Sequence, residues 1–226
     1  MHRSRTRPPG EKSPIAEILT PKEGGTSRLE AFSDGVFAIA ITLLVLDLKV
    51  PSVQPAEPAA LAEALGKGWP SYLTFLLSFA TILIMWVYHH RLFQSVRRSE
   101  TRLLFSNGFL LLLVTAVPFP TALVGAYLTT PAASVACATY AGFFALIDLG
   151  YNLLWLVVAG QQPGFRLRGN RIPTSMLTSF LGLPCYLIAM VIAFWIPVLT
   201  IAICGALWVV WAVTAPREPV KARTHS

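Results

Sequence analysis

Charge is what this chain lacks most. Only 13% of its 226 residues are Asp, Glu, Lys or Arg, about half the share in an ordinary soluble domain, near 25%. A hydrophobic fraction of 54% in long runs makes a soluble globular reading untenable and points to the bilayer. Cysteine is scarce too. Cys137, Cys185 and Cys204 stand alone inside apolar runs, which gives neither metal-ligand spacing nor a disulfide plan. They read as small buried hydrophobes. Histidine occurs four times, and His2 and His225 lie near the ends of the chain. The first 28 residues are polar, basic and rich in Pro and Gly, without the apolar h-region of a secretory signal.

What is present is a succession of apolar runs. The first is Phe32 to Leu48, the second Tyr72 to Tyr88, the third Leu103 to Leu128 with Pro118 and Pro120 near its end, and the fourth Ala132 to Ala159. Residues Thr174 to Ala215 are too long for one span of about 20 residues, and Pro197 after Trp195 marks the turn of a helical hairpin. Six transmembrane helices are therefore expected, in an all-α integral membrane protein. The domain from 28 to 215 sits between a disordered basic tail at 1–27 and a second tail at 216–226. No internal repeat of the opening motif is visible.

The net charge of +7 does not point to nucleic acid, because the basic residues fall in clusters between the apolar runs. Sixteen of the eighteen lie in the tails and in the second–third and fourth–fifth connections. Only Lys49 and Lys67 fall on the other side. By the positive-inside rule both termini are cytoplasmic, which an even number of spans requires.

This topology gathers polar groups at one depth. Asp34 lies about 9 Å along the first helix from Arg28 at 1.5 Å per residue. The second helix leaves the same side at Trp86, His89 and His90, and the third enters with Ser106 and Asn107. A carboxylate in a membrane is costly unless it is paired or hydrated, so Ser33 and Asp34 are expected to meet members of this set. Two readings stay open: a proton relay, ion or metal-hydrolase site on Asp34, His89 and His90, or a hydrogen-bonded clamp among the first three helices. At 100° per residue, Asp34 points about 140° away from the face carrying Ile39, Leu43 and Leu46, which favours the clamp. Asp148 and Asn152 form a second pair of the same kind on the fourth helix. In isolation, the stripe of Ile39, Leu43 and Leu46, with Thr42 on its flank, is simply a lipid- or core-facing surface.

The segment "RLEAFSDG" carries R-x-x-x-F-S-D and resembles the start of the transmembrane protein 175 family of potassium channels. The likeness continues in "FLLSFATILIMWVYHHRLF" and "SNGFLLLLVTAVPFPTAL" and covers most of residues 28 to 160; the last two helices match only in hydropathy. The resemblance implies a homotetramer of six-helix units around a pore lined by the first helix of each subunit, in a prokaryotic cell membrane. It implies that Ile39, Leu43 and Leu46 form an aliphatic constriction, with Thr42 at a hydroxyl layer. Arg28, Phe32, Ser33 and Asp34 match residues that hold the bundle together. Trp86, His89, His90 and Asn107 complete the polar network by depth. Potassium is then the permeant ion, no cofactor or resident metal is needed, and the partners are lipid and further copies of the chain. No T-V-G-Y-G loop occurs, so a carbonyl filter is replaced by apolar rings that conduct when they wet. A proton-permeable channel or proton-coupled transporter is the alternative. An integral membrane hydrolase using Asp34, His89 and His90 is a more distant one, since adjacent histidines on a helix point about 100° apart.

Overall fold

The structure, a computed structural model, describes residues 24–161 and 174–214. The expected tails lie outside the described residues except for 24–27, which are helical and open the first helix rather than continuing the tail, and the connection bearing Arg166, Arg168 and Arg171 also lies outside them. Among the described residues the chain is all helical. Helix α1 (Gly24–Leu43) runs into a 3-10 turn (Leu44–Asp47), followed by α2 (Pro58–Lys67), α3 (Trp69–Phe93), α4 (Thr101–Thr115), α5 (Pro118–Tyr127), α6 (Ala133–Gly160), α7 (Thr174–Ile192) and α8 (Pro197–Thr214).

Among the described residues, four stretches are long and apolar enough to cross a bilayer: Gly25–Asp47, Trp69–Phe93, Thr101–Tyr127 and Ala133–Gly160. Two shorter apolar segments, Leu181–Ile192 and Pro197–Val213, belong to the hairpin of α7 and α8. Its turn falls where Pro197 was expected to place it, with Pro197 as the first residue of α8, where a missing N–H costs no helical bond. The Thr200 hydroxyl ties the hairpin by donating to the Ala189 carbonyl at 3.0 Å.

The third apolar run is one span made of two helices. Pro118 and Pro120 cannot donate to carbonyls one turn back. Hydrogen bonds therefore tighten to the i−3 pattern across the break: Ala116 to Leu113, Val117 to Val114 and Phe119 to Ala116. The connection after the first span holds a short helix, α2, that the apolar runs do not announce.

Helix α6 is the hub, packing against α4, α5, α7 and α8. Its opening small residues, Ala133, Ala136, Cys137, Ala138 and Ala141, are all buried, because small side chains let helix backbones approach where lipid offers no hydrophobic drive. Further along, Tyr140, Phe144, Tyr186 and Trp208 join α6 to α7 and α8, with ring centroids 4.6 Å apart for Tyr140–Phe144 and 5.4 Å for Phe144–Trp208. Cys137 and Cys204 are buried free thiols and Cys185 is half-buried, in keeping with the packing role.

The α6–α7 contact includes one close approach that only glycine permits. A Cβ built on Gly182 would lie 2.5 Å from Asp148 Oδ1 and 3.1 Å from the Trp211 ring. Asp148 has little room to retreat, since Asn152 donates to its other oxygen at 2.9 Å. Gly182→Ala is expected to destabilise the protein by about 1–3 kcal/mol through overpacking. Gly66→Ala, with nothing within 4 Å of its added carbon, is expected to be neutral or stabilising by up to about 1 kcal/mol. Thermal unfolding of the two purified variants in one detergent checks both.

Candidate functional site: the two faces of the first helix

Helix α1 packs against α3 and α4, and the side it presents to them is polar at one level. Ser33, Phe37, Ala40 and Leu44 are buried, at the 4-3-4 spacing of one helical face. Around Ser33 the hydrogen bonds run in one direction. The Ser33 hydroxyl donates to the Leu29 carbonyl at 2.8 Å, so its oxygen accepts from Asn107 Nδ2 at 3.0 Å. That orientation leaves Asn107 Oδ1 to accept from His89 Nε2 at 2.8 Å. The imidazole therefore carries its proton on Nε2. All three side chains are fully buried. His89 is held between rings, with centroids 5.2 Å from Phe37 and 4.2 Å from Phe93.

Asp34 sits beside this chain, half-buried, and its Oδ1 accepts from the Trp86 indole N–H at 2.8 Å. His90 stacks on Trp86 at 6.0 Å, and its Nδ1 lies 2.9 Å from Glu30 Oε1. Three spans are thus joined at one depth by Ser33, Asp34, Trp86, His89, His90 and Asn107. Ser106 instead bonds back to the Leu103 carbonyl of its own helix. Glu30 was not singled out in the sequence. Its position four residues before Asp34, on the same helical face, is the signal that identifies it.

The structure does not bring Phe32 or Arg28 into this network. Phe32 is 63% exposed, and Arg28 is exposed as well. The geometry explains why. Phe32 is seven residues before Ile39 and Arg28 eleven, so each falls within about 20° of Ile39 on a helical wheel, on the side away from α3 and α4.

That other side is a continuous exposed stripe. Ile39 is 57%, Leu43 40% and Leu46 70% exposed. The exposed Thr42 hydroxyl donates back to the Ile39 carbonyl at 2.9 Å, leaving its oxygen free to accept. Ile41, between them, packs against the core. The 3-10 turn alters the far end. In 3-10 winding residues i and i+3 eclipse, and Leu43 already has φ −67° and ψ −24°. Leu46 therefore stands directly above Leu43, while Asp47 stands above the buried Leu44.

Asp34 and His89 hydrogen-bond to Trp86 and Asn107 in turn, and His90 Nδ1 lies beside Glu30, so the three share no common partner. Among the described residues no group of three or more His, Cys, Asp or Glu is placed to hold a metal. Farther along the bundle, Asp148 and Asn152 bond to each other. Nearby, Tyr88 donates to the Trp211 carbonyl at 2.7 Å and Tyr151 to that of Met85, contacts between helices that the sequence reading did not foresee.

Residues 28–118 match the family model described as the endosomal/lysosomal potassium channel TMEM175. The chain is 45% identical over 197 residues to a potassium channel of Chamaesiphon minutus, covering 86% of this chain and 97% of that one. It is 49% identical over 131 residues to a potassium channel of Streptomyces collinus, covering 58% and 63% of the two chains. The endosomal/lysosomal proton channel TMEM175 of Homo sapiens is 39% identical over 97 residues, which are 40% of this chain and 19% of the human protein. The crystal structure of a lysosomal potassium-selective channel TMEM175 homolog from Chamaesiphon minutus superposes with a TM-score of 0.76 at 44% identity, covering 84% of this chain and 98% of that one. A likeness of this extent, carried through nearly the whole length of the Chamaesiphon relative, makes this chain a member of the TMEM175 family.

Proposed function

We propose that the protein is a passive, potassium-permeable channel of the cell membrane, assembled as a homotetramer with α1 of each subunit lining the pore. The observation that carries this reading is the division of α1 into two faces. One is tied to α3 by the part-buried Trp86–Asp34 bond and to α4 by the buried Asn107–Ser33 bond. The other is an apolar stripe through Ile39, Leu43 and Leu46 that the chain itself leaves uncovered. Four copies around an axis would turn that stripe into stacked aliphatic rings, with Thr42 adding a hydroxyl layer. The Chamaesiphon and Streptomyces relatives, named as potassium channels, support potassium as the permeant ion.

Each chain then has six spans, the two outer ones from α7 and α8, and both termini face the cytoplasm with most of the basic residues. Conduction needs no cofactor and no enzymatic step. An aliphatic ring conducts when it wets, so discrimination between potassium and sodium is weak. Asp34 and its neighbours act as a packing clamp. Because vertebrate relatives are named proton channels, proton flux belongs in the same assays.

Three outcomes check the proposal. Native mass measurement in mild detergent is expected to give four chains per particle; a stable monomer that retains potassium flux overturns the assembly. Asp34→Ala orphans the Trp86 N–H and is expected to cost about 1–3 kcal/mol, read as lower tetramer yield and unfolding temperature. Asp34→Asn keeps an accepting oxygen and is expected to assemble and conduct; normal assembly without conduction would instead make Asp34 an ion site.

At Ile39 the expected changes separate a pore from a lipid face. Ile39→Asn places an amide where wetting is limiting, so conductance is expected to rise severalfold while potassium–sodium discrimination falls. Ile39→Phe is expected to reduce conductance. Leu43 and Leu46 respond in the same direction but less, and Ile41, on the core side, does not. Single-channel recording on tetramers of matched yield decides, and unchanged conductance in Ile39→Asn removes the stripe from the pore.

A further inference from the structure

The connection between α3 and α4 runs over residues 94–100, and both helices belong to stretches long and apolar enough to cross a bilayer. At no more than about 3.5 Å per residue, so short a loop can rise only about 12 Å before turning back. It therefore stays close to the headgroup layer. Its backbone is held there by one side chain. Gln161, the residue after α6, accepts at Oε1 from the backbone N–H groups of Arg97 and Arg98 at 3.0 and 3.2 Å, and donates from Nε2 to the Arg98 carbonyl at 3.0 Å. Val96, beside them, packs against the core.

Arg97 and Arg98 are exposed, and so is Arg102 in the first turn of α4. None of the three forms an ion pair among the described residues. Glu100, the one carboxylate between them, is exposed too and does not cap α4, which leaves positive charge in excess. Orientation in the membrane asks for such charge at this level but not for a fixed backbone. The Gln161 clamp is therefore an additional feature. Arginine binds phosphate through two parallel N–H bonds, and a backbone already held has less freedom to lose when it does. Further into the span from Arg102 the surface turns apolar. Phe105, Phe109 and Leu112 are 77%, 37% and 65% exposed and follow Arg102 at the 3-4-3 spacing of one helical face. From Arg102 to Leu112 the helix rises about 15 Å, half of a hydrocarbon layer of about 30 Å.

We infer that this surface binds an anionic phospholipid, its phosphate facing Arg97, Arg98 and Arg102 and one acyl chain lying along Phe105, Phe109 and Leu112. Gln161 is the positioning residue for the two loop arginines. A soluble phosphate would use the charges and leave the apolar stripe bare, whereas a lipid covers both. The inference needs α3 and α4 to span the bilayer and does not depend on what the pore conducts.

The test adds dioleoyl phosphatidylglycerol to the intact purified protein in detergent and counts bound lipid by native mass spectrometry. Dioleoyl phosphatidylcholine, with the same chains and no net charge, and glycerol 3-phosphate, with the phosphate and no chains, are titrated alongside. Phosphatidylglycerol is expected to bind about tenfold more tightly than either. Arg97→Gln combined with Arg98→Gln, both at exposed positions, is expected to remove most of that preference while eluting as wild type. Lys49→Gln combined with Lys67→Gln makes the same charge change at the other end of the spans and is expected to keep it. Gln161→Ala is expected to weaken phosphatidylglycerol severalfold and leave phosphatidylcholine unchanged, a split that general destabilisation would not produce. Equal binding of phosphatidylglycerol by wild type and the double arginine variant overturns the inference. An equal loss in the double lysine variant overturns it too, by making net charge the cause. Equally tight binding of glycerol 3-phosphate overturns the lipid assignment in favour of a free phosphate.

Discussion

One buried amide sets the rotation of the first helix. Asn107 accepts from His89 and donates to Ser33, and Ser33 passes the direction on to the backbone of its own helix. Inside a bilayer there is no water to substitute for a lost partner, so a small rotation of α1 would leave several groups unsatisfied at once. Apolar packing alone tolerates sliding; a three-member polar chain of fixed donor direction does not. Everything on the opposite face of α1 is therefore positioned by bonds that the opposite face never touches.

The second consequence concerns Asp34. Its place beside the Ser33–Asn107–His89 chain, with Trp86 as donor, gives a carboxylate in an apolar helix a partner of its own. The aromatic neighbours of His89 and the His90–Glu30 contact close the same level from the second span.

How much of this was legible depended on which quantity each inference used. Depth was legible, because helical rise is nearly constant; it brought Asp34, Trp86, His89, His90 and Asn107 to one level. Pairing within that level was not, because it depends on how far each helix is rotated, which packing decides. Phe32 and Arg28 are exposed in the single chain. Motif resemblance placed them in the network, although spacing of seven and eleven residues from Ile39 already put them on the exposed side. The break between α4 and α5 falls at Pro118 and Pro120, although the run around them reads as one uninterrupted span. The 3-10 turn carried no such mark, since Leu-Val-Leu-Asp suits either winding, and α2 lies in a connection where periodicity is too short to read. The hairpin of α7 and α8 was legible from length and one proline.

The long helices also carry a consequence for the membrane around them. At about 1.5 Å per residue, the 28 residues of α6 extend about 42 Å and the 25 of α3 about 38 Å, against a hydrocarbon layer of about 30 Å. Such helices meet the layer by leaning, by projecting into the headgroups or by thickening the lipid locally, each at a modest cost per ångström of mismatch. The span formed by α4 and α5 has a third option, because its proline break lets the two halves take different inclinations.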